Sequence, residues 1–210
     1  MKKVILAALV GATYLFSHVQ ADDSTATAKT YTLKVKATAN AKILKSPSSK
    51  GSLLGTLKKG EKLDAIYYAE KNSYYKVKYK GKTAYILSKY VKSVSQPGTF
   101  VGHYFERSTA GSAGYSNLYV YKQTSKKINY VVYNAYKNGS GIYAPYNYDK
   151  YTGSAKLLSS KTAQVNINGC KGKLTLAGNT IKPSTSSHCY NNYAFTSIVP
   201  EYGLFQKVDW

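Results

Sequence analysis

The side chains that could support acid–base catalysis are few and scattered. The chain of 210 residues has three histidines and nine carboxylates. His103 and Glu106, with a nearby serine, could be imagined as an acid–base set. We favour a surface histidine beside an ion-paired Glu106–Arg107 segment, because the sequence offers neither an orienting group nor carboxylates in paired spacing. It also has no phosphate-binding loop, H-E-x-x-H or G-x-S-x-G motif, so we expect a non-enzymatic protein without cofactor or metal.

Tyrosine is the stronger functional signal, with 23 tyrosines against five phenylalanines and one tryptophan. Strand preference predicts that most of them fill cores. In the run Ile142–Tyr151, however, tyrosines cluster with Pro145 and Asn147 in an expected loop. Such a loop could stack on sugar rings or engage an acidic partner, or it could pack its own rings against a sheet, and both interpretations stay open. The candidate ligand-binding residues are Tyr74, Tyr85, Tyr90, Tyr143, Tyr146, Tyr148 and Tyr151.

The first 21 residues have the features of a secretory signal peptide. Lys2 and Lys3 form a basic start, Val4–Phe16 is an apolar run too short for a comfortable membrane span, and Val19-Gln20-Ala21 resembles a cleavage site. We therefore expect cleavage after Ala21 and a flexible N-terminus over residues 22–30. The exported chain, periplasmic or secreted, would have no membrane span.

The charge of the chain predicts a polyanionic partner. The formal net charge is +21, and Arg107 is the only arginine. Lysine-rich surfaces suit diffuse attraction to polyanions, whereas base readout favours the planar fork of arginine. For an exported protein, anionic wall polymers, lipopolysaccharide, membrane surfaces or host glycans are therefore favoured as partners over nucleic acid.

The two cysteines, Cys170 and Cys189, are expected to form a disulfide. An exported chain with an even cysteine count favours pairing. With His188 they match no zinc spacing, and a histidine adjacent in sequence does not make a nucleophile–base pair.

The stretch from Pro47 to Val91 predicts a small antiparallel sheet. In Tyr74–Tyr79, the side chains of Tyr75, Val77 and Tyr79 alternate with two lysines, which is the period of a half-buried strand. Gly81 can adopt positive φ, so the chain can reverse there into a second strand at Thr83–Leu87. Tyr31–Lys36 alternates in the same way and is expected to be the first strand.

This stretch resembles the bacterial SH3 domain over roughly residues 30–95. The resemblance rests on Pro47, Gly55-Thr56-Leu57-Lys58-Lys59-Gly60, Tyr75-Lys76-Val77, Gly81-Lys82-Thr83-x-Tyr85-Ile86 and Ser88-x-Tyr90-Val91. It implies a small β-barrel-like fold at residues 31–95 and a targeting role in binding cell-wall peptide or glycan. The chain departs from the family pattern at Leu44, Ser46, Tyr74 and Ala84, so the family's ligand site is not carried over.

Gln96-Pro97-Gly98 marks the expected boundary, with a linker at residues 96–99. Residues 100–210 contain short apolar runs separated by Gly and Asn turns, which predicts a second, basic, tyrosine-rich β-sandwich or β-barrel with one disulfide. This half resembles small exported β-domains of the lysozyme-inhibitor-like or lipocalin-like type. That resemblance rests on Gly102-x-Tyr104, on Leu174-x-Leu176-x-Gly178-Asn179 between the cysteines, and on Gly203-x-Phe205-x-Lys207.

These observations predict an exported all-β protein that binds the cell envelope, through peptidoglycan or an anionic wall polymer. The alternative is a periplasmic or secreted inhibitor or adhesin whose second domain binds a protein or glycan. A third interpretation is a cell-wall hydrolase, which the missing catalytic constellation disfavours.

Overall fold

The computed structural model describes residues 29–69, 73–107, 114–137, 146–185, 189, 196, 198 and 204–208. The predicted signal peptide, most of the predicted flexible N-terminus and Tyr143 lie outside the described residues. The described chain is all-β, as predicted. No helix within these ranges is long and apolar enough to cross a membrane.

The N-terminal half forms a seven-stranded sheet that curls around its own core. The elements in chain order are β1 (Tyr31–Thr32), β2 (Lys34–Ala37), β3 (Ala41–Leu44), β4 (Leu53–Leu57), β5 (Lys62–Ala69), β6 (Tyr74–Tyr79), β7 (Lys82–Leu87), a 3-10 turn (Ser88–Tyr90) and β8 (Val91–Val94). The strand order of the sheet is β4-β3-β7-β6-β5-β2-β8, and neighbouring strands run antiparallel.

The β6–β7 hairpin follows the predicted alternation. Tyr75 and Val77 are buried in the core, while Lys76 and Lys78 lie on the opposite face. The turn at Lys80-Gly81 has φ angles of 47° and 75° at its two residues. Two consecutive positive φ values match the twist of the flanking strands, and the glycine accommodates the second of them without strain.

The C-terminal half is a closed antiparallel barrel of eight strands. The strands are β9 (Gly102–Arg107), β10 (Tyr115–Gln123), β11 (Lys127–Lys137), β12 (Tyr146–Ser159), β13 (Thr162–Ile167), β14 (Cys170–Ala177), β15 (Thr180–Thr185) and β16 (Phe205–Lys207). Sequential neighbours pair from β9 to β16, and β9 pairs with both β10 and β16, which closes the ring. Of the two predicted architectures, sandwich and barrel, the structure has the barrel.

The barrel interior is filled by side chains of alternating strand residues. The barrel core includes Tyr104, Leu118, Tyr130, Val132 and Phe205, all essentially inaccessible to solvent. A small closed barrel is expected to be packed in this way rather than hollow.

The outer face of the barrel shares a second core with the N-terminal sheet. Val101, Tyr119, Val131 and Tyr133 point away from the barrel interior and pack with the buried side chains of β2, β3, β6 and β7. We call this cluster the shared core. Strands β10 and β11 are therefore apolar on both faces, which explains their unbroken runs Leu118–Tyr121 and Tyr130–Tyr133.

Two chain segments tie the halves together. The expected first strand, Tyr31–Lys36, is divided: β1 pairs with β10 of the barrel, and after the buried Leu33 the chain enters the other sheet as β2. Residues 96–99 connect the halves through hydrogen bonds, since the Gln96 side-chain amide donates to the Thr32 carbonyl and the Thr99 hydroxyl donates to the Gln96 carbonyl.

The prediction of a loop at Ile142–Tyr151 is wrong for the second half of that run. Residues 146–151 begin β12, a strand of 14 residues that pairs along β11 from Tyr146 to Lys156. Cross-strand pairing with β11 prevails over the turn preference of Asn147 and Asp149. Residues 142–145 lie outside the described part of the chain.

The predicted disulfide is confirmed. Cys170 at the start of β14 is bonded to Cys189, with their Cα atoms 6.0 Å apart. The bond anchors the connection between β15 and β16 to the barrel, and both cysteines pack against the barrel core.

Replacing both cysteines (Cys170→Ser with Cys189→Ser) is expected to lower the free energy of unfolding by about 3 kcal/mol, because the closed loop no longer restricts the unfolded chain. Guanidinium denaturation of the oxidised protein and of the variant measures the difference. Equal midpoints for the two proteins would contradict this prediction.

Candidate functional site

A row of alternating tyrosine and lysine side chains crosses the outward face of the N-terminal sheet. Tyr67 of β5 lies opposite Lys76 of β6, which lies opposite Tyr85 of β7. All three side chains are half-buried, and the Lys76 ammonium is 5.5 Å from the centre of the Tyr67 ring. Aromatic rings beside a fixed ammonium can stack on sugar rings and attract an anionic substituent.

This aromatic–lysine row meets the barrel at Lys150. The Lys150 ammonium donates a hydrogen bond of 2.8 Å to the Tyr67 hydroxyl and lies 4.1 Å from the Tyr67 ring centre. The ring of Tyr133, on the barrel surface, is 5.7 Å from that of Tyr67. Burial of Tyr67 favours its neutral form, but the hydrogen bond from Lys150 and the charges of Lys150 and Lys76 prevail and lower the pKa of the Tyr67 hydroxyl below its usual value.

The candidate tyrosines of the N-terminal half occupy different environments. Tyr85 belongs to the aromatic–lysine row, as described. Tyr90 is half-buried against the shared core, with the Lys89 ammonium 4.9 Å from its ring centre. Tyr74 is only 6% exposed, so its ring serves packing.

The candidate tyrosines of the C-terminal half are less uniform still. Tyr151 is half-buried and packs against the barrel core. Tyr146 and Tyr148 lie on β12, but the orientation of their side chains is outside the described part of the structure, as is Tyr143 altogether. Sequence reasoning missed Tyr67 and Lys150, although Tyr67 lies in an apolar strand directly before the hairpin that the resemblance had marked.

His103 and Glu106 do not form an acid–base set. Side chains alternate along β9, so His103 faces the shared core whereas Glu106 faces the barrel interior. The expectation of a surface histidine is also wrong: His103 is 2% exposed, stacks on Tyr119 with ring centres 4.2 Å apart, and donates from Nε2 to the Asn117 side-chain oxygen at 2.6 Å.

Glu106 belongs to a polar row at one end of the barrel interior. The register places Glu106, Ser116, Asn134 and Asp149 side by side on four successive strands. The Ser116 hydroxyl donates to the Asn134 side-chain oxygen at 2.9 Å. Burial raises the pKa of the Glu106 carboxyl above its usual value. Among the described residues, no group of three or more His, Cys, Asp or Glu side chains could hold a metal ion.

The variant Glu106→Gln is expected to gain stability over the wild type as the pH rises. The pKa of the Glu106 carboxyl is higher in the folded state than its ordinary value of 4.5. At a pH above 4.5, ionisation of Glu106 therefore lowers the free energy of unfolding, whereas glutamine stays neutral. Melting temperatures should be similar at about pH 4 and higher for the variant at pH 7. Asp64→Asn is the control with the opposite sign, because the Lys34 ammonium and the Thr32 hydroxyl hold the pKa of Asp64 below its usual value against the effect of burial. A wild-type advantage over Glu106→Gln at pH 7 would contradict the prediction.

Comparison with known proteins identifies one part of the chain. Residues 39–92 match the family model described as bacterial SH3 domain, which spans β3 to β7 and the first residues of β8. No curated protein matches the chain. The matched segment contains Lys76 and Tyr85 together with Tyr67, so the aromatic–lysine row lies within the family's boundaries. This match lies within the stretch of roughly residues 30–95 whose motifs predicted the family, and residues 39–92 are therefore a bacterial SH3 domain.

Proposed function

We propose that this chain is an exported, non-enzymatic binding protein that attaches to the bacterial cell envelope through its SH3 domain. The observation that carries the proposal is the bacterial SH3 domain at residues 39–92, because domains of this family commonly bind cell-wall peptidoglycan. The disulfide fits an extracellular or envelope protein, since such bonds persist in oxidising compartments.

The aromatic–lysine row supports a glycan of the wall as the ligand. Tyr67 and Tyr85 offer ring surface for sugar stacking, and Lys76 between them offers a cation for a carboxylate or phosphate. Removal of the predicted signal peptide takes away only Lys2 and Lys3 and lowers the formal net charge from +21 to +19, which would steer an anionic polymer towards the protein at low and moderate salt. Peptidoglycan carrying anionic polymers is thus the ligand that these features favour.

Binding rather than catalysis is supported by the position of the titratable groups. His103 and Glu106 lie on opposite faces of one strand, and the His103 ring is enclosed by Tyr119 and Asn117. A general base must reach its substrate, which these contacts prevent for His103.

The double variant Lys76→Ala with Tyr85→Ala is expected to weaken retention by purified peptidoglycan about tenfold, since one cation and one stacking ring are lost. The measurement is co-sedimentation of residues 22–210, the chain without its predicted signal peptide, with sacculi that do or do not retain their anionic polymers. Both side chains are half-buried on the outward face of the sheet and neither belongs to a core cluster, so the variant should keep the fold, which its melting transition checks.

The matched control is Lys126→Ala with Tyr136→Ala, which removes the same two residue types from exposed positions of the barrel. This control should be retained like the wild type. Equal retention of both double variants, or no retention of the wild type at moderate salt, would contradict the proposed function.

A further inference from the structure

Strands β12 and β13 diverge and leave a groove in the barrel wall. Starting from the turn at residues 160–161, their ladder extends only to the pair Lys156–Gln164. Beyond it, β12 continues along β11 as far as Tyr146, whereas β13 continues along β14 as far as Ile167. The space between the two strands has a volume of about 430 Å³. That volume is within the range of small-ligand sites, about 300–1,000 Å³.

The floor of this groove contains the hydroxyl of an almost fully buried tyrosine. Tyr130, which is 1% exposed as a residue, lines the groove together with Ile198. Gly153 of β12 makes this arrangement possible, because a Cβ at that position would lie 2.6 Å from the Tyr130 hydroxyl oxygen. The Tyr130 hydroxyl is not among the enclosed polar atoms that lack a partner, and it lines the groove, where it can exchange a hydrogen bond with a ligand.

The walls of the groove are polar and contain one cation. Thr152 and Ser154 on one side and Asn166 and Asn168 on the other offer hydroxyl and amide groups, and Lys150 lies at one end. No described lining residue is acidic, so a cationic ligand would find no counter-charge there. The half-buried ring of Tyr151, which also lines the groove, and these amides and hydroxyls match the chemistry of a sugar, with its apolar ring faces and many hydroxyls.

We propose that the groove between β12 and β13 is a saccharide-binding site of the barrel, which takes a segment of about two sugar units with an acidic substituent directed at Lys150. The Tyr130 hydroxyl exchanges a hydrogen bond with the sugar, and the amides of the walls contact its hydroxyls. All the residues of this site belong to the barrel, and the proposal does not depend on what the SH3 domain binds.

The site has one physical connection with the SH3 domain. Lys150 also donates to the Tyr67 hydroxyl of the aromatic–lysine row. A ligand carboxylate at Lys150 would compete with that hydroxyl for the ammonium. Binding of a ligand in the groove would therefore weaken the hydrogen bond between Lys150 and Tyr67 at the domain junction.

The test is an NMR titration of residues 22–210 with two probes, an acidic hyaluronan disaccharide and the neutral diacetylchitobiose. We expect the acidic disaccharide to bind more tightly and to shift the amide signals of Gly153 and Asn166. Tyr130→Phe should weaken its binding about threefold to tenfold, because the hydrogen bond between the Tyr130 hydroxyl and the sugar is lost. Lys150→Ala should remove the preference for the acidic probe.

Tyr136→Phe is the control, since it removes a hydroxyl from an exposed tyrosine that does not line the groove. It should bind both probes like the wild type. Failure of the acidic disaccharide to bind at about 10 mM, where even a weak site with millimolar affinity is occupied, would overturn the proposal. Equal binding by wild type and Tyr130→Phe would overturn it as well. Neither result would bear on retention by peptidoglycan, which depends on Lys76 and Tyr85.

Discussion

The apolar contact between the outer face of the barrel and the SH3 domain determines the organisation of the whole chain. Tyr119, Val131 and Tyr133 would be exposed on an isolated barrel, and here they complete the core of the neighbouring sheet. Burying side chains of this kind contributes roughly 1.5–3 kcal/mol each. The connecting residues reinforce the contact, since β1 pairs with the barrel and β2 with the SH3 sheet. The two folds are therefore expected to behave as one body rather than as modules on a linker.

This constraint brings two candidate binding surfaces together. The aromatic–lysine row ends at Tyr67, and the groove between β12 and β13 begins at Lys150, whose ammonium is hydrogen-bonded to Tyr67. The free energies of binding at the two surfaces would add, because no flexible linker between them has to be ordered. A glycan strand anchored by the SH3 domain would then continue along the barrel wall.

Much of the SH3 domain could be predicted from local sequence. The alternation in Tyr74–Tyr79 and the positive φ at Gly81 determine its hairpin, and the spacing of the motifs identified the family. The shared core was missed, although the unbroken apolar run Tyr130–Tyr133 signals a strand that is buried on both faces. The alternation of side chains along a strand shows which residues share a face of the sheet. It does not show which other part of the protein covers that face.

The candidate sites depend on contacts that a single sequence does not reveal. Tyr67 and Lys150 are 83 residues apart, and they meet only because the shared core fixes the two sheets against each other. The groove arises because β12 and β13 diverge beyond the pair Lys156–Gln164. A loop was expected at Ile142–Tyr151, so the long strand that forms one side of the groove was not predicted from the sequence. Hydrogen–deuterium exchange of residues 22–210, with and without soluble peptidoglycan fragments, tests whether both surfaces bind wall glycan. We predict slower exchange in β5–β7 and in β12–β13 together. Slowing confined to other strands, or no change at all, would contradict the account.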